Sequence, residues 1–246
     1  MAVIFSILIY IGVFILDYSC IFTMNSHFAL LGKSLASLSF VLLAVCIMFR
    51  KDCRKFKYKK LIFIGLCFGC IGDICLNLNF VSGMETAFFL FGLAAFFIGH
   101  VFYAWAFVDR SPIQILTFLP VVLTLAVFVY LVRQFPDAFE LGPLFIPVLI
   151  YGAMVSFMAS KSLGLFRYRE KTVRGVWLTV LGAVLFYVSD FILLFLFFVP
   201  AFSSKTPSYN RMAFIILTLG NSIIYYTGQM LMALSLKENL EGKLGD

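Results

Sequence analysis

Eight apolar runs, most of them close to the length that crosses a hydrocarbon layer as a helix, leave this chain few folds to choose from. They cover residues 2–17, 33–49, 61–80, 85–107, 112–133, 141–160, 172–198 and 210–236, and a transmembrane helix needs about 20 predominantly apolar residues. The first run is marginal in length. Pro112 and Gly142-Pro143 stand where the fifth and sixth helices would begin, a place where proline's fixed φ and missing N–H do no harm. The connections are short, the longest being 50–60, 161–171 and 199–209. Only 13% of the 246 residues are charged and the mean hydropathy is +1.04. A soluble domain carries about a quarter charged residues, so there is too little polar surface here to cover a water-facing globule. The expected fold is all-α: one polytopic membrane bundle of about eight helices filling residues 1–246, with no separate soluble domain. The apolar N-terminus lacks the basic stretch and small-residue cleavage site of a secretory signal and is expected to be kept as the first helix.

Alternating the runs across a bilayer sorts the charges. Of the 19 Lys and Arg residues, only Lys33, Arg133, Lys205 and Arg211 fall on one side. All the others fall on the side that holds both termini and the basic connection 50–60. By the positive-inside rule that side is the cytoplasm. The net charge of +7 is thus accounted for by topology, although the 50–60 connection is also suited to anionic lipid headgroups. No nucleic-acid partner is expected, even with Phe56 and Tyr58 among those cations. Membrane lipid is the expected surrounding of a multi-pass protein in the cell membrane, or the inner membrane if bacterial. Six cysteines lie mostly within the apolar runs and lack the spacing of a disulfide framework. Cys67-x-x-Cys70 has no second pair to complete a metal site, so no metal or cofactor is expected. Composition does not address the oligomeric state.

Two charges stand where charges are costly. Asp73 is the sole charged residue from Leu61 to Met84, and Asp190 the sole one from Gly175 to Ser204. A carboxylate at the bilayer centre costs at least about 2.5–3.5 kcal/mol on an insertion scale and is usually found facing a polar cavity. The third and seventh helices run the same way across the bilayer, and the two aspartates fall within roughly one turn of equal depth. The echo between Gly72-Asp73-x-x-Leu76 and Ser189-Asp190-x-x-Leu193 hints at a parallel repeat facing both carboxylates across one cavity. Polar residues follow helical spacing around them. Asn77 lies one turn past Asp73, His100 and Tyr103 share a face, and Tyr187 precedes Asp190 by one turn. Asn221, Tyr225 and Gln229 form a stripe, and Tyr151 and Ser156 add polar atoms in the sixth helix. Gly65, Gly69 and Gly72 line one side of the third helix and permit close helix approach.

These motifs carry a family resemblance. Gly72-Asp73-x-x-Leu76, Gly99-His100-x-x-Tyr103, Tyr151-Gly152-Ala153-Met154-x-Ser156, Gly182-Ala183-x-x-Phe186-x-x-Ser189-Asp190 and Tyr226-x-x-Gln229 occur in the order and spacing of the YhhN family of membrane proteins. The chain resembles that family from about the second helix to Leu236. The fifth helix carries no motif, and the first little beyond Asp17. The resemblance implies a lysoplasmalogenase, an ether hydrolase whose substrate is a lysophospholipid bearing a vinyl ether. Its products would be a fatty aldehyde and glycerophosphoethanolamine or glycerophosphocholine. It also implies that Asp73 and Asp190 are the catalytic pair. That chemistry suits two carboxyl groups, one to protonate carbon and one to stabilise an oxocarbenium ion and deprotonate water, as in glycosidases. Which aspartate is the acid stays open at this stage, as do headgroup preference and the leaflet that supplies substrate. His100, Tyr187 and Gln229 are the first choices for orienting water or tuning the pair. A proton-coupled transporter would also use intramembrane aspartates, but the third and seventh helices lack central Gly/Pro breaks. An intramembrane aspartyl protease fits less well, because Cys70 stands where its Gly-x-Gly-Asp motif needs glycine and no Pro-Ala-Leu triplet occurs.

Overall fold

The computed structural model of the chain describes residues 2–23, 25–49, 57–78, 85–136, 139, 141–168, 173–202 and 210–238. The basic stretch 50–56, with Cys53, and the cations Arg169, Lys171, Lys205 and Lys243 lie outside the described residues. Eight α-helices follow one another: α1 (Ala2–Tyr18), α2 (Ser26–Met48), α3 (Lys57–Leu78), α4 (Glu85–Val108), α5 (Leu119–Gln134), α6 (Phe145–Gly164), α7 (Val173–Phe198) and α8 (Arg211–Ser235). No strand occurs among the described residues. A π-helical turn, Ser19–Thr23, extends α1. Short 3-10 turns lead into α5 and α6, the second containing Pro143.

Two helix starts are set by polar caps rather than by where the apolar run begins. Asn25 accepts from the backbone N–H groups of His27 and Phe28, so α2 starts at Ser26, ahead of its run. Asn210 accepts from the N–H of Ala213 and opens α8. An Asn side chain in that role satisfies N–H groups that have no partner within the helix.

Consecutive helices pack as hairpins, most closely α1 with α2, α3 with α4 and α7 with α8. α8 also lies against α1, α2 and α3, and α4 against α6. Of the α3 span, 56% is buried within the bundle, against 6% of the α5 span. α3 is therefore central, and α5 is an outer helix resting mainly on α6. Among the described residues, seven helices are long and apolar enough to cross a membrane. α8 has the length but is less apolar, because Asn221, Ser222, Tyr225, Tyr226 and Gln229 interrupt it. It is the helix that supplies polar side chains to the interior.

With no hydrophobic drive between helices in lipid, close backbone approach and internal hydrogen bonds hold such a bundle together. A Cβ on Gly12 would lie 2.6 Å from the Ala36 nitrogen and 2.7 Å from the Gly32 oxygen, so α1 and α2 meet almost backbone to backbone. Gly182 and Gly228 do the same for α7 and α8. Lys161, read from the sequence as a cation of the connection after α6, is instead buried within that helix. Its ammonium donates to the Ser111 carbonyl (2.8 Å), the Ser111 hydroxyl (2.9 Å) and the Pro112 carbonyl (2.8 Å). All three protons are used, and the α4–α5 connection is pinned to α6.

The glycine contacts generate a paired prediction. Gly12→Leu forces α1 away from α2 and is expected to destabilise by about 1–3 kcal/mol, as overpacking does, lowering the melting temperature in detergent. Gly220→Leu, where a new side chain meets nothing within 4 Å, is expected to leave it unchanged. Equal melting temperatures for the two variants would refute this account of the α1–α2 contact.

Candidate active site

Asp73 is 1% exposed and is held from two neighbouring helices. Its Oδ2 accepts from the Ser37 hydroxyl of α2 (2.6 Å) and the Tyr225 hydroxyl of α8 (2.8 Å). The Lys33 ammonium, also on α2, lies 3.5 Å from Oδ1. An ammonium and two hydroxyls form a donor set suited to a carboxylate. The network continues outward from Tyr225. The Gln229 amide donates to the Tyr225 hydroxyl (3.2 Å), and the Tyr103 hydroxyl donates to Gln229 Oε1 (3.1 Å). Tyr226 meets the Ser37 hydroxyl at 3.4 Å.

The glycine line on α3 has a second use here. A Cβ on Gly69 would press on the Gln229 amide at 3.1 Å, one on Gly72 would lie 2.8 Å from the Phe96 ring, and one on Gly65 would overlap the Tyr103 ring. These glycines leave room for the side chains around Asp73 as well as for α4.

Asp190 has a different setting. Its Oδ2 accepts from the Tyr151 hydroxyl of α6 (2.9 Å) and lies 3.2 Å from His100 Nε2 of α4. His100 Nε2 and the Tyr151 hydroxyl are themselves 3.1 Å apart. His100 is fully buried and its Nδ1 has no hydrogen-bond partner among the described residues. A buried lone pair without a donor is less costly than a buried N–H without an acceptor. The proton therefore belongs on Nε2, facing the carboxyl group. The other oxygen of Asp190, Oδ1, takes part in no hydrogen bond among the described residues. The side chain is 11% exposed and lines a cavity of about 60 Å³ between α5, α6 and α7.

Equal depth does not mean a shared face. Asp73 turns toward α2 and α8, Asp190 toward α4 and α6, and they share no hydrogen-bond partner among the described residues. Phe186, 1% exposed, stands between the two groups, with ring centres 4.6 Å from His100 and 5.0 Å from Tyr225. The single cavity facing both carboxylates, anticipated from their matched depth, is thus two polar clusters on either side of an aromatic wall.

The remaining polar residues divide accordingly. His100 and Tyr151 join Asp190, and Tyr103, Tyr225 and Gln229 join the Asp73 network. Tyr187 lines the Asp190 cavity but bonds Thr124 of α5 at 2.7 Å. Asn77 donates to the Asp73 backbone carbonyl (3.4 Å), and Ser156 to the Gly152 carbonyl one turn back (2.6 Å). Asn221 joins neither cluster, and its Oδ1 has no partner among the described residues. Lys33, Ser37 and Thr124 were not anticipated from the sequence. A third buried carboxylate, Asp17 of α1, accepts from the Ser222 hydroxyl of α8 at 2.7 Å. Cys67 and Cys70 are free thiols.

Comparison with known proteins agrees with this architecture. The sequence pattern of the YhhN family matches residues 28–236. A bovine (Bos taurus) protein named Lysoplasmalogenase TMEM86A is 32% identical over 182 residues, which are 73% of this chain and 66% of that protein. No solved structure matches the chain significantly. The helices and these relatives together identify a multi-pass integral membrane protein.

The Lys33–Asp73 contact predicts coupling. Removing either partner alone leaves the other charge inside the bundle. Lys33→Met and Asp73→Asn are each expected to lower the melting temperature, while the double variant loses less than the two combined. The expected coupling is about 0.5–3 kcal/mol. Strict additivity in that cycle would show that the pair does not interact.

Proposed function

The chain belongs to the YhhN family, and we propose that it is a lysoplasmalogenase. It would hydrolyse the vinyl ether of a single-chain ether phospholipid to a fatty aldehyde and glycerophosphoethanolamine or glycerophosphocholine. One observation carries this reading: Asp190 stands at an apolar cavity in a membrane bundle, with Oδ2 held by Tyr151 and His100 and Oδ1 in no hydrogen bond among the described residues. The name of the bovine relative supports the same reaction class.

In this scheme the protonated Asp190 delivers its proton from Oδ1 to the double-bond carbon farther from oxygen. The π electrons make the new C–H bond, and the ether oxygen shares the positive charge left on its neighbouring carbon. Tyr151 and His100 donate to Oδ2 throughout, stabilising the carboxylate that forms as the proton leaves. That carboxylate, now beside an oxocarbenium ion, takes a proton from water as the water oxygen bonds to the cationic carbon. The product is a hemiacetal, and the acid is restored. The hemiacetal hydroxyl proton then passes to the glycerol oxygen as the C–O bond breaks, releasing aldehyde and alcohol. One water is consumed, and the steps require neither metal nor redox cofactor.

Asp73 is the second carboxylate of the pair. In this geometry it acts through charge and position. Through Tyr225, Gln229 and Tyr103 it braces the aromatic wall on which His100 and Phe186 are set. This differs from glycosidases, where a second carboxylate beside the substrate supports the cation: here Asp190 moves the proton and faces the cation, and Asp73 acts from behind the aromatic wall.

The test is aldehyde release from lysoplasmenylethanolamine by purified protein in detergent. Asp190→Asn is expected to lower kcat by about a hundredfold or more, the range of a lost general acid. Asp73→Asn is expected to lower kcat less and to reduce thermal stability as well. Turnover in deuterated water should place one deuterium on the aldehyde carbon next to the carbonyl, and heavy-oxygen water should leave no label in the glycerol product. Undiminished turnover by folded Asp190→Asn would sink the mechanism. Folded wild-type protein that releases no aldehyde would sink the activity and bring a proton-coupled transporter forward.

A further inference from the structure

The cavity beside Asp190 is polar at one end only. Asp190 and Tyr151 lie there, and Thr124 and Tyr187 satisfy each other by their 2.7 Å hydrogen bond. Farther along α5 and α7, toward their C-terminal ends, the lining becomes Phe128 and Leu194. These open onto a second apolar cluster that also contains Leu141, Val148 and Phe198. A slot of this form has a reactive head and an apolar body.

Its shape depends on a missing side chain. Gly152 of α6 lines the cavity, and a Cβ there would meet nothing within 4 Å. The contrast is with Gly65, Gly69 and Gly72 of α3, whose space is taken by neighbouring side chains. The outer wall is α5, which rests chiefly on α6 and turns most of its surface away from the bundle. A molecule already dissolved in the bilayer is therefore separated from the slot by one lightly packed helix.

We propose that this slot holds the first carbons of the hydrocarbon chain beyond the vinyl ether of the single-chain ether lipid, the rest of the chain passing α5 into the bilayer, and that Gly152 sets the bulk of chain the protein accepts there. The proposal rests on the hydrolase reading above and adds to it where the chain lies and which residue gauges it. A free hydrocarbon chain is the occupant that matches walls with no unsatisfied polar group along the body of the slot and a carboxyl group at its head.

Gly152→Leu is the variant of choice, because a Cβ at this position meets nothing within 4 Å, and an unchanged melting temperature in detergent is the check that the variant folds. Gly220→Leu, equally open but away from the cavity, is the control. On a hexadecenyl lysoplasmalogen, kcat/KM of Gly152→Leu is expected to fall about tenfold or more, in the range that a few misplaced methylenes produce. On a butenyl analogue it should stay near wild type, as should Gly220→Leu on both substrates. An unchanged chain-length profile, or an equal loss on both substrates, would overturn the proposal.

A binding measurement keeps this inference separate from the activity. A lysophospholipid carrying a diazirine on its chain a few carbons from the headgroup is photolysed with the protein and the labelled peptides are mapped. Label on α5, α6 and α7 around the cavity, lost in Gly152→Leu, supports the slot even if wild-type protein releases no aldehyde. Label confined to other helices overturns it, whatever the turnover.

Discussion

A carboxylate inside a bilayer has no water to bind, and much of this bundle is arranged around that fact. Asp73 draws a hydroxyl and an ammonium from α2 and a hydroxyl from α8. Asp190 draws a phenol from α6 and an imidazole from α4. Asp17 ties α1 to α8 through Ser222. Stripping one of these oxygens of its donors leaves a buried acceptor unsatisfied, a loss of about 1–3 kcal/mol or more for a charged group. Seven of the eight described helices take part in clusters around three acidic side chains, and α3 and α7 are placed by the partners their aspartates require. Only α5 contributes to none of these clusters, and it is the least buried span.

The two aspartates sit in unlike surroundings although their local sequences echo each other. One is enclosed, with both oxygens engaged. The other, at the margin of a cavity, has only one oxygen engaged among the described residues. Phe186 keeps the clusters from merging, and its contacts with His100, Tyr103 and Tyr225 let a change on one side be felt on the other through packing. A separation of this kind allows one carboxyl group to exchange protons with a substrate while its counterpart keeps a fixed set of partners.

Much of this was legible in the residues themselves. Apolar runs of spanning length announce helices, and a lone aspartate inside one announces an interior partner, so Asp73 and Asp190 stand out from the sequence alone. His100, Tyr103, Tyr225 and Gln229 were legible because helical spacing put them on common faces. Direction around the helix axis was not. Depth can be counted along a sequence, but the face a side chain turns toward depends on which helices become neighbours, and this is why one anticipated cavity became two clusters. Lys33 was hidden by the Asn25 cap, which begins α2 earlier than hydropathy does and moves a presumed flanking cation inward. Ser37 and Thr124 were hidden because an isolated hydroxyl in a membrane helix usually bonds its own backbone, as Ser39 does with the Leu35 carbonyl. Lys161 read as a loop charge because nothing in sequence reveals that Ser111 and Pro112 would surround it.

The polarity of α8 has a consequence for how the protein is made. Its Asn, Gln and tyrosine residues make it less able to partition into lipid unaided than the seven more apolar helices, and it leaves the ribosome after them. Its surest route into the membrane is alongside α7, against which Gly182 and Gly228 already let it lie. Tyr225, which completes the donor set of Asp73, and Ser222, which serves Asp17, reach the bilayer only with that hairpin. Until then two acidic side chains on earlier helices remain short of partners, so the nascent bundle is marked as unfinished to any quality-control machinery that senses polar groups in lipid.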